Sequence, residues 1–162
     1  DAGRADLDRA RQEGKAVHSM VELECKGELD RESLPEWLQP IYAEWLKFVI
    51  TTGFVMSLSE HRAYHDTYAY AGTLDLAGTL TKFAGNHEAV IDIKRTLGGK
   101  TVPLQLAAYE HLLKSLPGKP RRRRFGLCLK PLRFVEYDNP QDWTDFLTIL
   151  NYHKLMQRLG GK

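Results

Sequence analysis

The spacing of hydrophobic positions changes along the chain, and each change marks a predicted element. Leu7, Ala10, Gly14, Val17 and Val21 recur at three- and four-residue intervals, which predicts a helix over about 4 to 25. A charged turn, Lys26 to Arg31, follows. Ser33 can act as an N-cap and Pro35 can sit in the first turn of a second helix, about 35 to 51. Its apolar stripe is Leu38, Ile41, Tyr42, Trp45, Phe48 and Val49.

From Phe54 the pattern becomes strand-like, rich in aromatic and β-branched residues, first to Tyr64 and again from Tyr68 to Leu80, with His65-Asp66-Thr67 as the turn. A third strand, Ala89 to Arg95, is expected after the Gly85-Asn86 turn and before Gly98-Gly99. Three successive strands predict an antiparallel meander. Pro103 can open a helix carrying Leu104, Ala107, Ala108, His111 and Leu112, closed by Pro117-Gly118. Two strands, Phe125 to Leu129 and Leu132 to Tyr137, precede a last helix from Asn139-Pro140, with Trp143, Phe146, Leu147, Leu150 and Lys154 on one face. The order α-α-βββ-α-ββ-α predicts an α/β fold, a central mixed sheet flanked by helices.

Composition narrows the class. With 162 residues, 43% of them hydrophobic, and 7 prolines, the chain suits a single domain, 1–162, able to bury a core, and no repeat or low-complexity segment divides it. The apolar stretch Leu46 to Leu58 is broken by Lys47, Thr51, Thr52 and Gly53, so no membrane span is expected. The first twenty residues are charged throughout and lack the apolar core of a secretion signal, so no targeting peptide is expected. Cys25 and Cys128 stand far apart without a Cys/His cluster, which argues against a disulfide framework, a zinc module or an iron–sulfur site and favours a reducing cytoplasm. The net charge is only +2, so a nucleic-acid partner would need a local patch. Lys119 and Arg121 to Arg124 form the candidate, open to two readings: a solvated turn or a track for phosphates.

Candidate chemistry lies between residues 72 and 109. Asp75, in Gly72-Thr73-Leu74-Asp75, falls on the strand face of Ala71, Thr73 and Ala77, with Leu74 and Leu76 pointing the other way. Asp92 and Lys94 flank Ile93, and a spacing of two puts both on one strand face, roughly 7 Å apart. Gln105 and Tyr109, four apart, share a helical face. Taken singly, each is most simply a polar residue on a solvated face. His61 and His65 have the spacing of a helical zinc pair but fall in a strand, and are read as structural or surface residues. Tyr64, Tyr68 and Tyr70 share one strand face, suited to a core and alternatively to base stacking.

Together, four motifs resemble those of the PD-(D/E)xK nuclease superfamily in its RecB-like, phage-exonuclease branch. Gly14-Lys15-Ala16-Val17-His18 resembles its GxxxH helix, Gly72 to Asp75 its GxxD strand, Asp92-Ile93-Lys94 its (D/E)xK strand, and Gln105 to Tyr109 its QxxxY helix, in the family's order. Leu74 replaces the proline of the family's name and the second acid is Asp rather than the commoner Glu; the helical segment 26–53 carries no motif. The resemblance implies a restriction-endonuclease-like core and a metal-dependent deoxyribonuclease, an exonuclease of phage or bacterial recombination and repair. Its partners would be DNA and a recombination protein such as a single-strand annealing protein. It further implies that His18, Asp75, Asp92 and the Ile93 carbonyl hold Mg²⁺ or Mn²⁺, the imidazole favouring Mn²⁺. Lys94 would orient the attacking water or stabilise developing charge, and Gln105 and Tyr109 would hold the strand. Glu60 is a minor candidate for a carboxylate on a second metal. The rival reading is a catalytically inactive nucleic-acid-binding or structural subunit of a recombination complex.

Overall fold

In the computed structural model, which describes residues 2–82, 87–113 and 121–160, four helices enclose a five-stranded sheet. The elements are α1 (Ala2–Lys26), α2 (Gln39–Thr52), β1 (Phe54–His65), β2 (Tyr70–Leu80), β3 (His87–Ile93), α3 (Val102–Leu112), β4 (Arg123–Leu129), β5 (Leu132–Glu136) and α4 (Gln141–Arg158). The sheet runs β1-β2-β3-β4-β5; β1, β2 and β3 form the expected antiparallel meander, β3 and β4 are parallel, and β5 returns antiparallel to β4. The parallel step requires a crossover, and α3 lies in it.

Alternation along β3 divides the interior into two layers. Ala89, Ile91 and Ile93 face a core with Met20 and Val21 of α1, Ile41, Trp45 and Phe48 of α2, and Phe125 and Leu127 of β4. Val90 faces the opposite side, with Val102, Leu106 and Leu113. Trp45 and Phe48 are each 1% exposed, and burying side chains of this size stabilises the fold by roughly 2–3 kcal/mol each. Gly53 ends α2 at φ +63°, where its N–H reaches Val49 O at 2.8 Å; a Cβ there would meet Thr81 Oγ1 at 2.1 Å. Glycine is therefore needed both for the left-handed turn and for the approach of the β2 end.

Boundaries differ where local hydrogen bonding wins over pattern. Pro35 opens one separate turn, closed by Leu38 N–H on Pro35 O at 2.9 Å, and α2 begins only at Gln39. Tyr68 belongs to the β1–β2 turn, in which Ala69 takes φ +46°, so β2 starts at Tyr70. Strand β3 ends at Ile93 rather than Arg95, and β4 starts at Arg123, two residues before Phe125. The turn at Gly85-Asn86, the helix stop at Pro117-Gly118 and Lys119 lie outside the described residues. Among the described residues no helix is long and apolar enough to cross a membrane, and both cysteines are free.

Candidate metal centre

The site grows from a local break in the sheet. Ser59 pairs with Leu76 and His61 with Leu74, while Glu60 between them takes φ +44°, a left-handed conformation that costs a non-glycine residue about 1 kcal/mol or more. Opposite it the alternation of β2 shifts by one residue. Leu74 packs with Ala77 on the α3 side, whereas Leu76 and Leu80 pack on the α1–α2 side. The expectation that Leu74 and Leu76 share a face is thus corrected, and the cause lies on the neighbouring strand. Asp75 stands at the shift. The β2–β3 ladder stops at Leu76 and Ile91, and beyond it Asp75 Oδ2 accepts the Ile93 N–H at 2.7 Å. A side chain thus replaces a ladder partner.

Helix α1 brings His18 to this break. His18 Nδ1 lies 3.2 Å from Glu60 Oε1 and 3.6 Å from Asp75 Oδ1, and Nε2 lies 3.2 Å from Ile93 O. With Nε2–H donating to that carbonyl, the Nδ1 lone pair faces two carboxylates, an arrangement that calls for a proton or a cation between them. One ligand atom from each of His18, Glu60 and Asp75 lies within 4.8 Å of the others. Glu60, a minor candidate in the sequence, therefore stands at the centre. The Ile93 carbonyl is already the acceptor for His18, with its second lone pair left for another donor or ligand.

Asp92 approaches from the next strand and lies outside that trio. It is 0% exposed, and neither oxygen has an aligned hydrogen-bond donor among the described residues, although Lys94 Nζ is 3.0 Å from Oδ2. Burial raises the Asp92 carboxyl above its ordinary range, against the pull of Lys94. Asp75 is pushed up to about 7, first by burial and then by the Asp92 charge, while His18, the Ile93 N–H and Lys94 pull it down. Two buried acids thus share one field, with Lys94 as the adjoining cation.

On α3, Gln105 Nε2 donates to Tyr109 OH at 2.6 Å. Burial lifts the Tyr109 phenol against that bond, and the charges of Asp92, Asp75 and Glu60, within whose field it lies, lift it further. Gly72 makes this approach possible: a Cβ there would meet Tyr109 Cε1 at 3.0 Å and Leu112 Cδ1 at 3.1 Å. The five residues His18, Asp75, Asp92, Lys94 and Tyr109, scattered along the sequence, are therefore brought to one end of the sheet.

The arginine run takes a different course. Arg121 is 3.9 Å from Glu110, Arg122 is 3.9 Å from Glu88, and Arg123 grips both carboxylate oxygens of Glu136. Arg124, largely buried, reaches Asp142 at 3.2 Å and Asn139 O at 2.9 Å. Of the tyrosines grouped in the sequence, Tyr64 is exposed, while Tyr68 and Tyr70 join His65, Trp143 and Phe146 in an aromatic cluster. His65 is therefore structural, as expected.

Two cations that the sequence pattern does not single out lie closer to the centre. Arg11 and Lys15, two turns and one turn before His18 on α1, line a cleft of about 520 Å³ with His18 and Glu60. Their four-residue spacing, continued by Ser19, is the only signal of it in the sequence. No protein-family model and no curated protein matches the chain.

Proposed function

We propose that this chain is a metal-dependent deoxyribonuclease with a restriction-endonuclease-like core, acting as an exonuclease on DNA. The observation that carries the reading is the Asp92 carboxylate, fully buried without an aligned donor among the described residues, beside the His18–Glu60–Asp75 group and Lys94. Buried acids persist where an ion or a reaction repays their desolvation. The donor set of carboxylates, one imidazole and a carbonyl fits a divalent ion, and the imidazole inclines it to Mn²⁺. His18, Glu60 and Asp75 would hold that ion, with Asp92 as the acid that completes the charge on the β3 side. A divalent ion in such a site supplies charge stabilisation and an acidified water for phosphodiester hydrolysis. The chain's own residues do the rest. Lys94, a compact ammonium, orients the water or meets charge developing on the phosphate. Tyr109, fixed by Gln105, positions the strand backbone and confers no sequence preference.

The test is incubation of closed circular and linearised forms of one plasmid with Mn²⁺. Loss of the linear form from its ends with survival of the circle is expected. Cutting of the circle would leave a nuclease without the exonuclease assignment, and inertness of both forms would return the chain to a binding or structural role.

A further inference from the structure

Behind His18, away from the cleft that holds Glu60, lies a cavity of about 130 Å³. Its walls include Val17 and Ile41, Leu129 and Cys128, and the indole of Trp37. Trp37 is 44% exposed, whereas Trp45 of α2 is 1% exposed, so part of the Trp37 indole stays open at the cavity. Gly14 borders both the cavity and the cleft. His18, Ile93 and Lys94 line the cavity as well as the carboxylate site, which makes them contiguous. Arg95 and Lys130 line it too, as does Glu13, whose carboxylate is paired with Arg9 at 3.2 Å.

An apolar space of about 150 Å³ admits a benzene-sized ring. This cavity is of that order, mostly apolar in its walls, flanked by three cations against the one, Arg9-paired, carboxylate of Glu13, and furnished with a half-exposed indole. Those features match an unpaired nucleobase, whose ring is flat and apolar on its faces and whose two neighbouring phosphates are anionic. We propose that the cavity receives one unpaired base of the strand held at the carboxylates, stacked on Trp37, with Arg95 and Lys130 on the adjoining phosphates. The inference rests on the nuclease reading for what lies at Asp75 and Asp92. It adds to that reading a demand for a strand end whose base is free of its partner.

A single-stranded oligonucleotide with 2-aminopurine at its terminus tests the pocket in EDTA, where no hydrolysis takes place. Binding should quench the 2-aminopurine emission with the wild-type protein and with Trp37→Phe. Trp37→Ala should abolish the quenching and weaken binding about tenfold. Lys130→Gln, a surface change that spares the fold, should weaken binding and lower its salt dependence by about one phosphate. Equal quenching by Trp37→Ala, or an unchanged affinity and salt slope in Lys130→Gln, overturns the pocket. Because the measurement needs no cleavage, the two readings fail separately. Trp37-dependent quenching in a protein that hydrolyses nothing keeps the pocket and removes the nuclease, whereas hydrolysis without such quenching does the reverse.

Discussion

Under the proposed nuclease reading, Asp92 sets function against stability within one side chain. Its carboxylate is buried, its carboxyl is raised by desolvation, and Lys94, about a third exposed, offsets only part of the cost. Asp92→Asn removes the charge at constant shape and frees Lys94 to turn to water. The metal-free variant should therefore unfold at higher denaturant than wild type, by about 1 kcal/mol, while DNA hydrolysis falls at least ~10²-fold. A destabilised Asp92→Asn variant would mean that the acid serves the fold rather than the site. His111 gives a second residue-scale expectation, far from the metal group. It stacks on Trp143 at 3.6 Å between ring centres, and burial, with the charges of Arg121, His65 and Arg124, lowers its pKa to about 4. The unfolded chain takes up this proton near pH 6.5 and the folded protein only near 4, so the unfolded state binds more protons between the two. The contribution is complete above pH 6.5 and is lost as pH falls towards 4, about 1 to 2 kcal/mol once solvent screening of the partly exposed ring is allowed for. His111→Phe should remove that part of the acid destabilisation in urea titrations at pH 7 and 4.5, and an unchanged difference would refute the assignment.

At the scale of elements, periodicity locates the four helices and five strands of the described residues, because amphipathic stripes and strand alternation follow directly from burying one face. It places His18, Asp75 and Asp92 on the right elements too, and Lys94 one residue past the end of β3. Alternation fails at Leu74 to Leu76, since a shift imposed by the partner strand leaves no mark in a strand's own sequence. Glu60 ranks low in the sequence for the same reason: nothing in the residues around it announces φ +44°. That conformation makes a prediction with two arms. Glu60→Ala and Glu60→Gly both remove the carboxylate, and both should weaken Mn²⁺ binding by about tenfold or more in calorimetric titrations. Only glycine relieves the backbone, so Glu60→Gly should be more stable than Glu60→Ala by about 1 kcal/mol. Equal stability would show that β1 relaxes around the site.

Across the whole molecule the question is where the positive charge works. A run of four arginines, Arg121 to Arg124, dominates the sequence, but charge in a sequence carries no record of its partners. In the fold those partners are Glu110, Glu88, Glu136 and Asp142, and Arg124 joins β4 to the start of α4. Arg11 and Lys15 add less to the charge count and line the cleft that holds His18 and Glu60. Among the described residues Arg11 is tied only to exposed Asp8 at 3.7 Å, a pair worth little in water. The two sets should therefore respond differently to substitution. Arg124→Ser leaves Asp142 buried beside nothing and should cost about 3 kcal/mol of stability. Arg11→Ser with Lys15→Ser should leave stability within about 0.5 kcal/mol while weakening DNA binding. If each of the two cations neutralises one phosphate, their removal should flatten the slope of log K against log salt by about 1.4 to 1.8. Fluorescence anisotropy of a labelled oligonucleotide across a salt series measures that slope, alongside urea unfolding of each variant. A slope that flattens in a folded Arg121→Ser and Arg122→Ser double variant, and stays unchanged in the α1 variant, would return the DNA track to the arginine run. The reverse result would put the strand along α1, one turn from the histidine that faces the carboxylates.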